Sequence, residues 1–173
     1  MKSFQLPTFE TERLHLRQLT ENDVDLIYRL NSNAEVMKHI TGYAEDLEAS
    51  KAALKRYLFF PEKANAPVGM WITTEKSTGK EIGWHILKKL DETGEFEIGY
   101  RLLPEFWGKG YATEGAKRLI EYGVEDLNTP CIVAVTLLGN DVSGHVLMKL
   151  GFKFIEIGTF YGKATKYYKL EVE

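Results

Sequence analysis

A chain of 173 residues, 44% hydrophobic and 27% charged, is sized for one globular domain over residues 1–173. At that size about 70% of the unfolded chain's surface can be buried without disulfides or a structural metal. The lone cysteine, Cys131, excludes an internal disulfide and a multi-cysteine zinc site, and 22 Lys and Arg against 25 Asp and Glu, net -3, exclude a global positive field for a nucleic-acid backbone.

Residues 1–7 lack the apolar core of a signal peptide, and no apolar run approaches the roughly 20 residues that span a bilayer. The expected setting is cytoplasmic, with neither nucleic acid nor membrane as partner. No internal repeat or linker interrupts the chain. Residues 13–19 set Leu14 and Leu16 on one side and His15 and Arg17 on the other, the period of a strand. Thr20, with Asp23 three residues on, opens a helix that carries Val24, Ile27 and Tyr28 at helical spacing. A short helical piece over 34–40 shows Val36, Met37 and Ile40. Another over 45–58 carries Leu47, Leu54, Tyr57 and Leu58 and stops before Pro61.

Three apolar runs follow, 68–74, 82–90 and 95–103, and the short polar loops between them imply antiparallel neighbours. Residues 111–127 repeat Ala112, Ala116, Leu119, Ile120, Gly123 and Leu127 along one helix face, stopped by Asn128-Thr129-Pro130. A strand over 131–138, a helix over 142–150 closed by Gly151, and two tail strands around a connection at 158–165 complete the order.

The chemistry concentrates in Gly99-Tyr100-Arg101-Leu102-Leu103-Pro104-Glu105-Phe106-Trp107-Gly108-Lys109-Gly110-Tyr111-Ala112-Thr113-Glu114. A strand feeds a glycine-spaced loop that opens into a helix. The first N–H groups of a helix lack intrahelical partners and sit at the positive end of its dipole, and glycine lets backbone approach an anion. Gly108, Gly110 and Ala112 are thus suited to a pyrophosphate, although a glycine pair at such a turn also serves plain turn chemistry. Neither a dinucleotide fingerprint nor a Walker loop is present. Downstream, Asn140 stands between the strand over 131–138 and the next helix, where it can cap that helix or donate its amide to a polar ligand.

Together, the run Gly-Tyr-x-Leu-x-Pro-x-x-Trp-Gly-Lys-Gly-Tyr-Ala-Thr-Glu and the later Asn-x-x-Ser-x-x-Val-Leu-x-Lys-Leu-Gly-Phe resemble the acetyl-CoA-binding motifs of the GNAT acyltransferase superfamily. Thr11-Glu12-Arg13-Leu14-x-Leu16-Arg17 resembles the start of its ribosomal-protein N-terminal (Rim-type) branch. The resemblance implies an α/β (α+β) fold, with a mixed, mostly antiparallel sheet of about seven strands splayed at the centre and helices on both faces. It implies acetyl-CoA as co-substrate; no metal is expected, and the chain is expected as a monomer or a homodimer, since C-terminal edge strands could pair two subunits. Ile98, Tyr100, Leu102 and Leu103 would line the pantetheine, Gly108, Lys109, Gly110, Tyr111, Ala112 and Thr113 would hold the pyrophosphate, and Asn140 and Ser143 would meet the pantetheine arm.

Two positions depart from the family pattern. Trp107 stands where Arg or Gln is usual, and Leu147 stands where many members place a tyrosine acid. A thiolate leaving group, with a reference pKa near 8.5, needs little protonation, and Ser143 can supply a hydrogen bond to it. Glu97 is the candidate base for the amine, with Glu95 on the same strand face, although both are also plain strand carboxylates. Glu114 is expected to support the loop. An acidic balance around the cleft would favour a cationic amine, and Trp71, Trp84, Phe59 and Phe60 are either acceptor-pocket or core aromatics. The four histidines lack metal spacing, and Cys131 reads as a buried strand residue. The expected reaction is direct transfer of acetyl to a primary amine, first a protein or peptide N-terminus. The alternatives are a small-molecule amine or a non-catalytic acyl-CoA sensor.

Overall fold

The computed structural model describes residues 3–173, so Met1 and Lys2 of the N-terminal stretch lie outside the described residues. The elements are β1 (Phe9–Glu10), β2 (Leu14–Gln18), α1 (Val24–Asn31), α2 (Ala34–Met37), α3 (Leu47–Leu58), α4 (Phe60–Ala64), β3 (Gly69–Glu75), β4 (Lys80–Lys89), β5 (Phe96–Leu102), α5 (Tyr111–Glu125), β6 (Cys131–Leu137), α6 (Asp141–Lys149), β7 (Lys153–Phe160) and β8 (Lys163–Glu171). One eight-stranded sheet runs β1-β2-β3-β4-β5-β6-β8-β7. Every pair is antiparallel except β5 with β6. Among the described residues no helix is long and apolar enough to cross a membrane.

Local chemistry explains the elements that frame the site. The capping box before α1 forms, with the Asp23 carboxylate accepting from the Thr20 N–H at 2.7 Å, and Asp23 also takes Arg17 at 2.7 Å. Leu26, Ile27 and Leu30 turn the buried side of α1 to the sheet. Alternation along β4 divides the faces, with Trp84 meeting Tyr57 of α3 and His85 meeting the Ala112 carbonyl of α5.

Three expectations change. The sheet has eight strands rather than about seven, because β1 is only two residues long, too short to show a periodic pattern. The helix over 45–58 stops at Leu58, before Pro61, as expected, but a further, unexpected short helix, α4, follows and carries Pro61 in its first turn, where its missing N–H has no intrahelical acceptor to lose. The tail strands reach Phe160 and restart at Lys163, so the connection is the two-residue turn Tyr161-Gly162, with φ of 54° and 70°. Two successive positive φ values are what a tight hairpin requires.

Beneath α5, His85 is fully buried, with Nε2 donating to the Ala112 carbonyl at 3.2 Å and Nδ1 accepting from the Thr73 hydroxyl at 2.7 Å. A carbonyl can only accept, which fixes this neutral tautomer. A Cβ at Gly115 would sit 2.3 Å from that Nε2. Gly115→Ala is therefore expected to cost about 1–3 kcal/mol by overpacking, read as a lowered denaturant midpoint. Burial, outweighing the backbone bonds and Glu114, pushes the His85 pKa down to about 4. An unfolded imidazole takes its proton near pH 6.5, so the unfolded state binds more protons between those values. The stabilisation is present in full above about pH 6.5 and is lost as pH falls toward 4. Denaturation across that window is expected to show a shallower loss in His85→Gln than in wild type.

Candidate active site

β5 and β6 pair only at Phe96 with Ile132 and Glu97 with Val133. Beyond those residues the strands part, while β6 stays paired to β8 as far as Leu137 and β5 stays paired to β4 as far as Leu102. The facing backbone groups of the two parted strands therefore have no ladder partner, and they line a cleft of about 630 Å³. Ile98, Gly99, Tyr100, Arg101, Ala134, Val135, Thr136 and Leu137 form its split sheet wall. α3 and α4 contribute Arg56, Tyr57, Phe60 and Lys63, and α6 contributes Ser143 and Leu147.

Glu97 sits where the strands part and is buried, with 7% of its surface exposed. The Tyr161 hydroxyl donates to its carboxylate at 2.9 Å, and Lys88 lies 3.9 Å away. Burial raises the Glu97 pKa, against the opposing pull of Lys88 and Tyr161. Such a carboxylate accepts a proton more readily than an exposed one. Glu95 has a different fate. It precedes β5, accepts from Tyr167, from Lys169 at 2.9 Å and from the Cys131 thiol at 3.2 Å, and does not line the cleft. Burial opposes these bonds, but they outweigh it and hold Glu95 at about 2, so it is no partner base. Cys131 is half-buried rather than buried, its thiol pushed up by burial and by Glu95.

The glycine loop, at the start of α5, does not itself line this cleft. Gly108 and Gly110 have φ of 72° and 83°, and a Cβ on Gly108 would meet nothing within 4 Å. Gly110 caps α5 without a side-chain bond, which leaves the N–H groups of Tyr111, Ala112 and Thr113 at an open helix start. The side chains serve the frame: Tyr111 donates to the buried Glu75, and the exposed Lys109 offers its carbonyl to Arg13 at 2.8 Å. Glu114 accepts from the Arg13 N–H and the Thr11 hydroxyl, both at 2.8 Å, and pairs with the Arg13 guanidinium at 2.7 Å. Arg13 also stacks on Tyr111, 4.5 Å from the ring centre. Glu114 thus supports the loop as expected, and Arg13 is the bracing residue that spacing alone missed. The one trace of it in the sequence is the Thr11-Glu12-Arg13 run.

On the α6 side, Asn140 takes the capping role and lines the cleft. Its Oδ1 caps α6 by accepting from the Ser143 N–H at 3.4 Å, and its amide N–H groups remain beside the cleft. Tyr100 donates to the Ser143 hydroxyl at 3.3 Å, which leaves the Ser143 proton free for a further acceptor. Burial raises the Tyr100 pKa and keeps the phenol protonated. The strand alternation did not settle where this tyrosine points. Leu147 is buried in the cleft wall.

Other expected contacts fall elsewhere. Leu102 and Leu103 are buried outside the cleft, the Leu102 carbonyl taken by the Trp107 indole at 2.8 Å and the Leu103 N–H by Ile82 at 2.8 Å. Trp71 is core, bonded to the Pro7 carbonyl, and Phe59 is half exposed outside the cleft, whereas Trp84 and Phe60 line it. The acidic cleft is corrected most: its walls carry Arg56, Lys63, Lys88, Lys89, Arg101 and Lys163 against only Asp91 and Glu97. Net charge over the whole chain said nothing about this local balance.

A family model described as an acetyltransferase (GNAT) domain matches residues 13–153. The chain is 32% identical over 151 residues to an uncharacterized N-acetyltransferase, YoaA, of Bacillus subtilis, covering 85% of this chain and 83% of that one. It is 28% identical over 140 residues to the spermidine N(1)-acetyltransferase of Escherichia coli, covering 79% and 71%. In fold it is similar to an acetyltransferase from Agrobacterium tumefaciens (TM-score 0.84, 24% identity, 99% and 98% covered). It is also similar in fold to RimL, a ribosomal L7/L12 α-N-protein acetyltransferase solved with coenzyme A (TM-score 0.76, 14% identity, 96% and 98% covered). With a sheet split beside a glycine-opened helix and a family match over most of its length, the chain belongs to the GNAT family of N-acetyltransferases.

Proposed function

We propose that this enzyme transfers acetyl from acetyl-CoA to the N-terminal α-amine of a protein or peptide, as the Rim-type resemblance suggests. The observation that carries the reading is the parted β5 and β6 with buried Glu97 at the fork. The residues fit the co-substrate: Gly108 leaves room for an anion, the start of α5 presents free N–H groups, and the buried Thr136 hydroxyl in the cleft has no partner among the described residues. Bound acetyl-CoA supplies an activated acyl thioester.

The chain's own groups do the rest. Backbone N–H groups of Ile98 and Tyr100 lie on the edge of β5 from which β6 has parted and can polarise a carbonyl, while that of Gly99 is turned to β4. Glu97 takes the proton of the amine, directly or through water, and an α-amine with a reference pKa of about 8 asks only for a weak base. Ser143, oriented by Tyr100, donates to the departing sulfur, which answers the absence of a tyrosine at position 147. Transfer is direct, because Cys131 is outside the cleft and donates its proton to Glu95, so no activated thiol faces the acceptor.

The test is a peptide bearing one α-amine and one lysine side chain, offered alongside spermidine, with the acetylated position mapped by mass spectrometry. Acetylation at the α-amine is the expected result, and acetylation of spermidine alone overturns the peptide reading in favour of a small-molecule amine. Arg13→Gln, which removes the brace under Lys109, is expected to raise the KM for acetyl-CoA about tenfold with a smaller change in kcat, measured by steady-state kinetics.

A further inference from the structure

Resting on the reading of this cleft as the peptide acceptor site, we propose that the acceptor is an acidic peptide, whose carboxylate at its third or fourth residue is received by Arg101. Six cationic side chains line the cleft and two carboxylates oppose them. Both carboxylates are engaged, Asp91 by Lys63 at 2.8 Å and Glu97 by Tyr161 and Lys88. Among the described residues Arg56, Lys89, Arg101 and Lys163 form no ion pair. A polyamine entering this cleft would meet charge of its own sign.

Arg101 is the cation built for a ligand. Its guanidinium lies over the Trp84 indole, 4.9 Å from the ring centre, and one nitrogen donates to the buried Asn31 at 2.7 Å. The stack and the bond fix the plane of the fork. Its buried Nε has no partner among the described residues, nor has the indole Nε1 of Trp84, which is itself more than nine-tenths buried. A held guanidinium with an unfilled donor beside an unfilled indole N–H suits a carboxylate.

The spacing sets the place of that carboxylate. Glu97, Gly99 and Arg101 alternate onto one face of β5, so Arg101 lies four residues, about 13 Å, beyond Glu97 along the strand. An extended peptide with its amine at the fork covers about 7 to 10 Å by its third or fourth residue, and the two side chains reach across the remainder. The phosphates of the co-substrate are a poorer match for this charge, because residues 108–113 of the glycine loop do not line the cleft, and the cations stand mainly on α3, α4 and β4.

Short peptides with Glu, Ala or Lys at positions 3 and 4, together with free glutamate and spermidine, test this by kcat/KM. The acidic peptide is expected to exceed the neutral one by about tenfold or more, the range of a charge-assisted bond. Arg101→Gln is expected to bring that ratio to about one, and Arg101→Lys to restore part of it. An unchanged thermal shift with acetyl-CoA in R101Q verifies the fold and the co-substrate site. Equal rates on acidic and neutral peptides in wild type, or a ratio untouched by R101Q, overturn the inference and leave peptide acetylation standing. Loss of the acetyl-CoA shift in R101Q overturns it by placing Arg101 on the co-substrate. Turnover of spermidine alone, or of free glutamate alone, overturns the peptide acceptor itself.

Discussion

Glu97→Gln is expected to lower kcat by about 10²–10⁴-fold with acetyl-CoA affinity little changed, the range for removal of a positioned general base. The substitution keeps the shape of the side chain and its bond from Tyr161 while removing the capacity to take a proton. The pH profile separates this role from a structural one. Burial raises the Glu97 pKa, so the wild-type acid limb of kcat/KM begins above pH 4.5, where an exposed glutamate would titrate. At low pH both Glu97 and the amine must lose a proton, giving a slope of about two that falls to about one in E97Q. Tyr161→Phe removes a bond that favours the ionised carboxylate, so the acid limb is expected to move to higher pH. A drop in kcat with no change of slope in E97Q would reduce Glu97 to a packing residue.

Gly110→Asp is expected to abolish the thermal stabilisation given by acetyl-CoA. At about 100 times its dissociation constant a ligand adds roughly 2.7 kcal/mol to wild type, a shift of several degrees at this size. Gly110 holds φ of 83°, which aspartate adopts only with strain, and an added Cβ would sit 3.3 Å from the Arg13 guanidinium. A carboxylate at the start of α5 also repels the anion that the open N–H groups attract. Gly110→Ala separates these causes, since it keeps the strain without the charge. Its loss of acetyl-CoA affinity is expected to be the smaller of the two. Equal stabilisation of wild type and G110D would remove the start of α5 from the co-substrate site.

The elements and motifs legible in the sequence were those with local causes. The capping box before α1, the antiparallel run β3-β4-β5 and the glycine-opened α5 follow from periodicity and turn chemistry over a few residues. Glu97 could be singled out because a strand carboxylate lies beside the motif. What could not be read depends on contacts distant in sequence. Arg13 meets Glu114 across about a hundred residues, and Tyr161 reaches Glu97 from a hairpin turn that alternation alone placed too broadly. Tyr100 and Tyr167 are equally plausible hydroxyls in sequence. Only the register of β5, β6 and β8 turns one toward Ser143 and the other toward Glu95. The charge of the acceptor cleft is the strongest case, because an acidic chain gathers six cations there from α3, α4, β4, β5 and β8.

The most direct test of the central claim is the release of coenzyme A thiol from acetyl-CoA, followed with one acidic peptide whose N-terminus is either free or blocked. Wild type is predicted to release thiol in step with acetylation of the free peptide, and at background rate with the blocked one, while E97Q binds acetyl-CoA and releases little. Binding of acetyl-CoA with no thiol released to any free amine would contradict catalysis at the fork and make the protein a sensor of the acyl donor.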